Sequence, residues 1–197
     1  MNGVLVIDKP AGMTSFDVIR RVRRMVKTRR VGHAGTLDPM ATGVLPVAVG
    51  TATRLIEYLM AGDKTYRATL KLGSVTDTQD STGEILEEKA WQSVDRPAIE
   101  AAMENFLGET EQLPPMYSAL KKDGQPLYRL ARQGIEVERE PRKVVVKSLV
   151  IDEFSAPHLT FTVQCSKGTY VRTLCHDIGQ ILGCGAHMTD LRRLSCG

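Results

Sequence analysis

The sequence predicts a mixed α+β domain on a largely antiparallel β-sheet flanked by helices and loops. Three observations carry this reading. Segments that read as strands outnumber those that read as helices, and the two kinds do not strictly alternate as the βαβ units of a parallel sheet would. The runs 144–154 and 159–165 alternate apolar and polar residues and lie close enough in the chain to pair as an antiparallel hairpin. The 197 residues, 42% hydrophobic and 25% charged, suffice for one ordinary domain with a buried core. That composition excludes a disordered chain, a collagen and a coiled-coil rod.

Element by element, Val4 to Ile7 reads as a short buried strand and Lys9-Pro10-Ala11-Gly12 as a turn. Thr14 or Ser15 caps a helix with Asp17 in its first turn. Val18, Val22, Met25 and Val26 fall on one face of that helix and arginines on the other. Val31 to Gly43 holds three glycines, a proline and an aspartate and reads as a loop. A strand follows at Val44 to Val49, a helix from Thr51 to Leu59 and a strand from Thr65 to Leu72. Gly73 to Gly83 is a turn-rich connection to a strand near Glu84 to Lys89, and Asp95 caps a helix to about Phe106. Leu113 to Arg142 combines Pro-Pro, Asp-Gly-Gln-Pro and Gln-Gly with two tyrosines, so it is expected to be a long, partly ordered excursion. Excursions of that length are uncommon unless functional. Thr169 to Leu182 reads as a helix, and Met188 to Leu194 closes the chain.

Charge is unevenly placed. The formal net charge is +3, yet seven of the 26 Lys/Arg lie between Arg20 and Arg30, and no acid occurs from Val18 to Leu37. Without those seven residues the chain would be acidic. A second basic stretch runs from Lys121 to Lys147, while Asp77 to Glu111 is acidic. Such polarity suits a polyanion held on one face. Nothing approaches the roughly 18 apolar residues of a membrane helix, and MNGVLVIDKP lacks the basic start of a signal peptide. A cytosolic protein is the expectation. The four cysteines contain no CxxC pair. Cys175, His176, Cys184 and His187 match no common zinc spacing, so the thiols are expected to be reduced and structural.

The most unusual segment is Gly32-His33-Ala34-Gly35-Thr36-Leu37-Asp38-Pro39-Met40-Ala41-Thr42-Gly43. Its glycines permit tight turns and close approach by a ligand. Pro39 biases Asp38 toward an extended conformation that presents its carboxylate. An isolated Asp-Pro would more commonly be an Asx-turn bonding its own backbone, but this loop follows directly on the basic helix. There is no P-loop, no nucleophile elbow, no HExxH and no dinucleotide fingerprint. Asp77 and Asp80 resemble a metal loop only vaguely and read as a polar hairpin connection.

Gly-His-Ala-Gly-Thr-Leu-Asp-Pro-Met-Ala-Thr-Gly-Val-Leu-Pro at 32–46 resembles the catalytic motif of the TruB family of tRNA pseudouridine synthases. Five further segments are similar to the family in family order: 8–15 (Asp-Lys-Pro-Ala-Gly-Met-Thr-Ser), 64–67 (Lys-Thr-Tyr-Arg), 113–121 (Leu-Pro-Pro-Met-Tyr-Ser-Ala-Leu-Lys), 165–174 (Cys-Ser-Lys-Gly-Thr-Tyr-Val-Arg-Thr-Leu) and 185–193 (Gly-Ala-His-Met-Thr-Asp-Leu-Arg-Arg). The resemblance implies a pseudouridine synthase fold over 1–197 with an RNA-clamping insertion at 113–142. It implies cofactor-free, metal-free isomerisation of the T-loop uridine of tRNA (position 55) by a cytoplasmic enzyme acting on the T-arm stem-loop, here expected to be a monomer without membrane contact.

Carried over by position, Asp38 is the nucleophile, Arg172 its ion-pair partner and Tyr66 the aromatic that stacks on the flipped base. Leu191 closes the pocket from the other side, and His33 fills the gap the base leaves. Lys9, Lys64 and Tyr170 are implied as supporting residues, the lysines in phosphate or loop contacts. Arg20, Arg23, Arg24 and Lys27 form the electrostatic footprint on the tRNA stem. A cation beside Asp38 is expected to keep its carboxylate charged. Attack at C6 of the base, attack at C1′ of the ribose and a glycal route all remain open. Family members of bacteria continue beyond Leu-Arg-Arg into a small PUA-type domain; none is expected within 1–197, and 194–197 are expected to fray. An RNA-binding module and a small hydrolase using Asp38 and His33 are the competing readings.

Overall fold

The computed structural model describes residues 1–197. In chain order its elements are β1 (Gly3–Lys9), α1 (Ser15–Val26), β2 (Val31–His33), β3 (Thr42–Val49), a 3-10 turn at Gly50–Leu55 leading into α2 (Ile56–Ala61), β4 (Lys64–Leu72), β5 (Ser74–Thr76), β6 (Ile85–Glu88), α3 (Arg96–Glu104), β7 (Gly108–Gln112), β8 (Lys121–Lys122), β9 (Gln125–Pro126), α4 (Leu127–Ala131), β10 (Arg142–Ser155), β11 (His158–Cys165), α5 (Val171–Ile181) and β12 (Ala186–Cys196). The main sheet runs β1-β3-β12-β4-β11-β10-β7, with β2 also paired to β3. Every pairing is antiparallel except the short β12–β3 contact, where Arg192 faces Thr42 and Arg193 faces Gly43. The mixed α+β class with a mostly antiparallel sheet is the one the sequence predicts.

Alternation decides which face is buried. Along β11, Leu159, Phe161, Val163 and Cys165 are buried and their neighbours are not. They join Leu70 and Leu72 of β4, Leu45 and Val47 of β3, and Met188 of β12 in one apolar cluster. Helix α1 adds Val18, Ile19 and Val22, α3 adds Ile99 and Met103, and α5 adds Leu174, Cys175 and Ile178. Fully burying each large side chain contributes about 1.5–3 kcal/mol. All four cysteines are free thiols.

Helix α1 starts as expected. Thr14 is its N-cap, and the Thr14–Asp17 capping box satisfies two otherwise orphan backbone donors. Met25, however, is 81% exposed. The buried stripe is centred on Val18, Ile19 and Val22, which leaves Met25 on the rim of the last turn. The expected loop 31–43 is shortened at both ends by β2 and by the start of β3. Strand β7 was not expected because Gly-Glu-Thr-Glu-Gln carries no apolar alternation. It is an edge strand, and the Glu109 carboxylate accepts from Lys143 across the ladder at 2.8 Å. The residues expected to fray are paired instead: Cys196 faces Lys64, and the Gly197 amide donates to Asp63 O at 2.9 Å. The excursion 113–142 contains the β8–β9 hairpin and α4. The hairpin turns on Asp123-Gly124, both at positive φ (51° and 80°), as a two-residue turn between right-twisted strands requires.

Gly43 is the tightest backbone joint in the sheet. Its φ is +102°, and a Cβ there would lie 2.1 Å from the Arg193 carbonyl oxygen. Neither strain can relax without separating β3 from β12. Gly43→Ala is therefore expected to cost roughly 3 kcal/mol or more, read as a lower denaturant midpoint at unchanged slope.

Candidate active site

The loop 34–41 joins β2 to β3 and carries Asp38. It is held from two sides. Ser15, at the first position of α1 and buried, donates from Oγ to Leu37 O (3.1 Å) and accepts from the Leu37 amide (2.9 Å). On the far side of Asp38, Pro39 O accepts from the Gly12 amide (2.8 Å) and from Lys9 Nζ (3.3 Å). The Ala41 amide closes a turn onto Asp38 O at 3.0 Å. The segment 9–15 is thus the mount on which the aspartate stands.

Arg172 lies in the first turn of α5 and is 5% exposed. Its Nε is 3.0 Å from Asp38 Oδ2. Its Nη1 donates to Thr78 O (3.1 Å) and reaches Asp80 Oδ2 at 3.5 Å, and its Nη2 donates to Tyr117 O (2.8 Å). All three guanidinium nitrogens are engaged, as a buried arginine requires. Asp80 is 4% exposed, and its other oxygen accepts from Thr78, Thr82 and the Thr82 amide. Reading 77–80 as a polar hairpin connection identifies the β5–β6 turn but misses that Asp80 is the second carboxylate on Arg172. Nothing in an isolated Thr-Asp-Thr-Gln-Asp signals this; only the fold brings it to α5.

The cation beside Asp38 does not act alone on its ionisation. Burial raises the Asp38 pKa above the ordinary carboxylate value, and this outweighs the pull of Arg172, with Asp80 adding to the rise and Lys9 opposing it. The cation is shared between two carboxylates, so Asp38 receives only part of it.

Tyr66 on β4 stands directly opposite Arg193 on β12, and Leu191 stands opposite Ala68 one pleat further along the same face. Leu191 is buried and Tyr66 half-buried. Burial pushes the Tyr66 phenol above its usual pKa, opposed by Arg193. His33 ends β2; its Nδ1 is buried without a partner. Burial, reinforced by the charge of Arg193, lowers the pKa of His33, so the ring is neutral near pH 7. Tyr170 precedes α5, and its peptide is clamped by Gln112, which donates to Tyr170 O (3.0 Å) and accepts from its amide (2.7 Å). Gln112 is another residue the sequence reading missed, because it sits on the unrecognised strand β7.

The two lysines do not face solvent. Lys9 Nζ donates to Pro10 O (2.9 Å) and Met13 O (2.7 Å) as well as Pro39 O, and Lys64 Nζ donates to Met60 O (2.6 Å) and Gly62 O. Both are buried. Every hydrogen bond they make is to a backbone carbonyl: Lys9 ties its own turn to the Asp38 loop, and Lys64 binds the turn before β4. On α1, Arg20 pairs with Asp17, Arg23 donates to Val31 O (3.2 Å), and both guanidiniums lie over the exposed Phe16 ring at 5.5 and 5.8 Å. Arg24 and Lys27 are exposed. The sequence-predicted residues thus fall into three groups: Asp38 with Arg172, the Tyr66–Leu191 face beside His33, and the basic surface of α1.

The family model described as "TruB family pseudouridylate synthase (N terminal domain)" matches residues 23–171, and that of the tRNA pseudouridylate synthase B C-terminal domain matches 172–197. The chain is 57% identical over its whole length to tRNA pseudouridine synthase B of Geobacter sulfurreducens, of which it spans 65%. It is 52% identical over 98% of its length to the protein of the same name from Opitutus terrae, of which it spans 80%. Among solved structures, a Cbf5–Nop10–Gar1 complex superposes with a TM-score of 0.77 at 34% identity, covering 99% of this chain and 49% of that one. An H/ACA ribonucleoprotein bound to a substrate RNA superposes at 0.73 and 31%, covering 99% and 47%. No helix of the chain is long and apolar enough to cross a membrane. With a family model covering most of the residues, relatives above 50% identity and the same fold in solved structures, the chain belongs to the TruB family of pseudouridylate synthases.

Proposed function

We propose that the chain converts the T-loop uridine of tRNA (position 55) to pseudouridine, as a monomeric cytoplasmic enzyme that uses its own side chains without cofactor or metal. The observation that carries this is Asp38 on a loop pinned on both flanks, with its carboxylate 3.0 Å from the buried Arg172. The reaction breaks the bond from ribose C1′ to N1 of uracil, turns the base, and joins C1′ to C5. The C5 proton is lost and N1 gains one, so the product is an isomer of the substrate. An ionised carboxylate serves as the nucleophile that holds the reacting fragment between the two bond changes. Arg172 orients it, and the Asp38 side chain, 37% exposed, remains open to a substrate.

The base must leave the T-loop stack to reach Asp38. Tyr66 and Leu191 are diagonal neighbours on one sheet face, about 7–8 Å apart and somewhat closer between Cβ atoms. That gap admits one planar ring, with the tyrosine face stacked on the flipped base and the leucine closing the other side. The neutral ring of His33, with its free Nδ1, takes the vacated place in the T-loop stack. Arg20, Arg23, Arg24 and Lys27 contact stem phosphates, with the 113–142 insertion clamping the arm. Tyr170, clamped by Gln112, shapes the pocket wall next to Arg172.

The test is a single-turnover reaction with a full tRNA transcript, followed by mapping of pseudouridine at each uridine. One modified site, in the T-loop, is the expected result; modification elsewhere or none at all contradicts the proposal. Affinity for the same RNA is expected to fall by at least about tenfold between 50 and 200 mM salt, because several phosphates release counterions. A flat response would remove the basic face of α1 from the interface.

A further inference from the structure

Arg193 is the largest fully buried side chain in the protein, at 1% exposure. It takes part in no ion pair with a carboxylate. A buried cation without a counter-charge is costly to a fold, and it persists where its donors are needed. Two of those donors are accounted for. Nε donates to Val44 O at 2.7 Å and Nη2 to Gly35 O at 3.1 Å. Gly35 lies at the start of the 34–41 loop and Val44 in β3 just beyond its end, so the guanidinium straddles the root of the catalytic loop.

The remaining neighbour is Tyr66. The two residues are direct cross-strand partners on β4 and β12, a position at which side chains on one face meet. The charge of Arg193 opposes the rise that burial imposes on the Tyr66 phenol. Lys64, two residues before Tyr66, gives its ammonium to Met60 O and Gly62 O and so does not compete for the phenol. An arginine can only donate and a phenolic oxygen can accept, so the pair is chemically matched.

Resting on the function proposed above, we infer that Arg193 is a positioning residue for Tyr66. Fixed by the carbonyls of Gly35 and Val44, its guanidinium anchors the tyrosine hydroxyl and holds the ring at a set distance from the Asp38 loop. The flipped uracil then lies on a ring tied to the same arginine as the nucleophile's loop. The second arginine of Leu191-Arg192-Arg193 thereby gains a role distinct from that of Arg192, which pairs with Asp8 at the surface.

The test is a double-mutant cycle read by single-turnover pseudouridine formation and by RNA affinity. Arg193→Met and Tyr66→Phe are each expected to slow the chemical step by roughly tenfold or more, with RNA affinity changed less than about threefold. In the Tyr66→Phe background, Arg193→Met is expected to add less than about a threefold further loss, because the hydroxyl it served is gone. A purely structural arginine would give the same loss in both backgrounds, and that result overturns the inference. So does an Arg193→Met variant as fast as the parent. If Arg193→Met does not fold, as judged by thermal unfolding, the same cycle is run with Arg193→Lys, which keeps the charge but cannot bridge both carbonyls and the hydroxyl. An inactive parent chain would instead count against the proposed function, so the two failures are distinguishable.

Discussion

Asp38→Asn is expected to lower the single-turnover rate by at least about a thousandfold while RNA affinity stays within a few-fold of the parent. The amide keeps the size of the carboxylate but cannot act as a nucleophile. The anchors of the loop are unaffected, since Ser15, Gly12 and Lys9 bind the backbone of Leu37 and Pro39 and not the Asp38 side chain. The same substitution is expected to raise thermal stability at neutral pH. Burial raises the Asp38 pKa above its ordinary value of 3.8, so the fold disfavours the ionised form relative to the unfolded chain. For a carboxyl with a raised folded pKa, stability falls as pH rises from the unfolded value through the folded one, and the deficit persists at neutral pH. The neutral amide escapes it. The gain of the variant over the parent should shrink as pH falls toward 3.8 and vanish below it. Unfolding midpoints measured across that range check the sign, and a variant less stable than its parent at pH 7 would contradict it.

Arg172→Met is expected to damage both stability and chemistry. The methionine fills part of the volume, but Asp80, 4% exposed, loses the only cation in contact with it. Removing one partner of a buried ion pair costs about 3–5 kcal/mol, because the remaining charge is left uncompensated. Thr78 O and Tyr117 O also lose their donor. The Tyr117 contact ties the start of the 113–142 excursion to the site, so that segment should become more accessible to protease. The rate should fall by at least about a hundredfold, through loss of Asp38 orientation. Adding Asp80→Asn is expected to recover part of the stability, since the stranded charge is removed, but none of the rate. Recovery of rate would show that Arg172 serves the fold alone.

The sequence made most of the scaffold legible where hydrophobic period and capping agree. The β10–β11 hairpin, the start of α1 at Thr14, and the strand carrying Tyr66 follow from alternation and cap chemistry. The parts that were not legible have a common cause: their partners are distant in the chain. Strand β7 is polar and exists because β10 offers it an edge. Asp80 looks like a turn residue until α5 brings Arg172 beside it. Lys9 and Lys64 look like surface cations, but they are folded back on backbone carbonyls. Asp38 was legible because glycine, proline and a neighbouring basic helix all mark one short segment. The upward pull of burial on the Asp38 carboxyl was not, because it depends on how much solvent the folded site removes.

The most direct test of the central claim is tritium release from a T-arm stem-loop RNA carrying [5-³H]uridine, under single turnover and with the chain in excess. Joining C1′ to C5 must expel the hydrogen at C5, so the release counts the isomerisation itself. The account requires one equivalent released per RNA from the T-loop uridine, and none with Asp38→Asn bound to the same RNA. Binding without release by the parent chain, or equal release by both proteins, would contradict it.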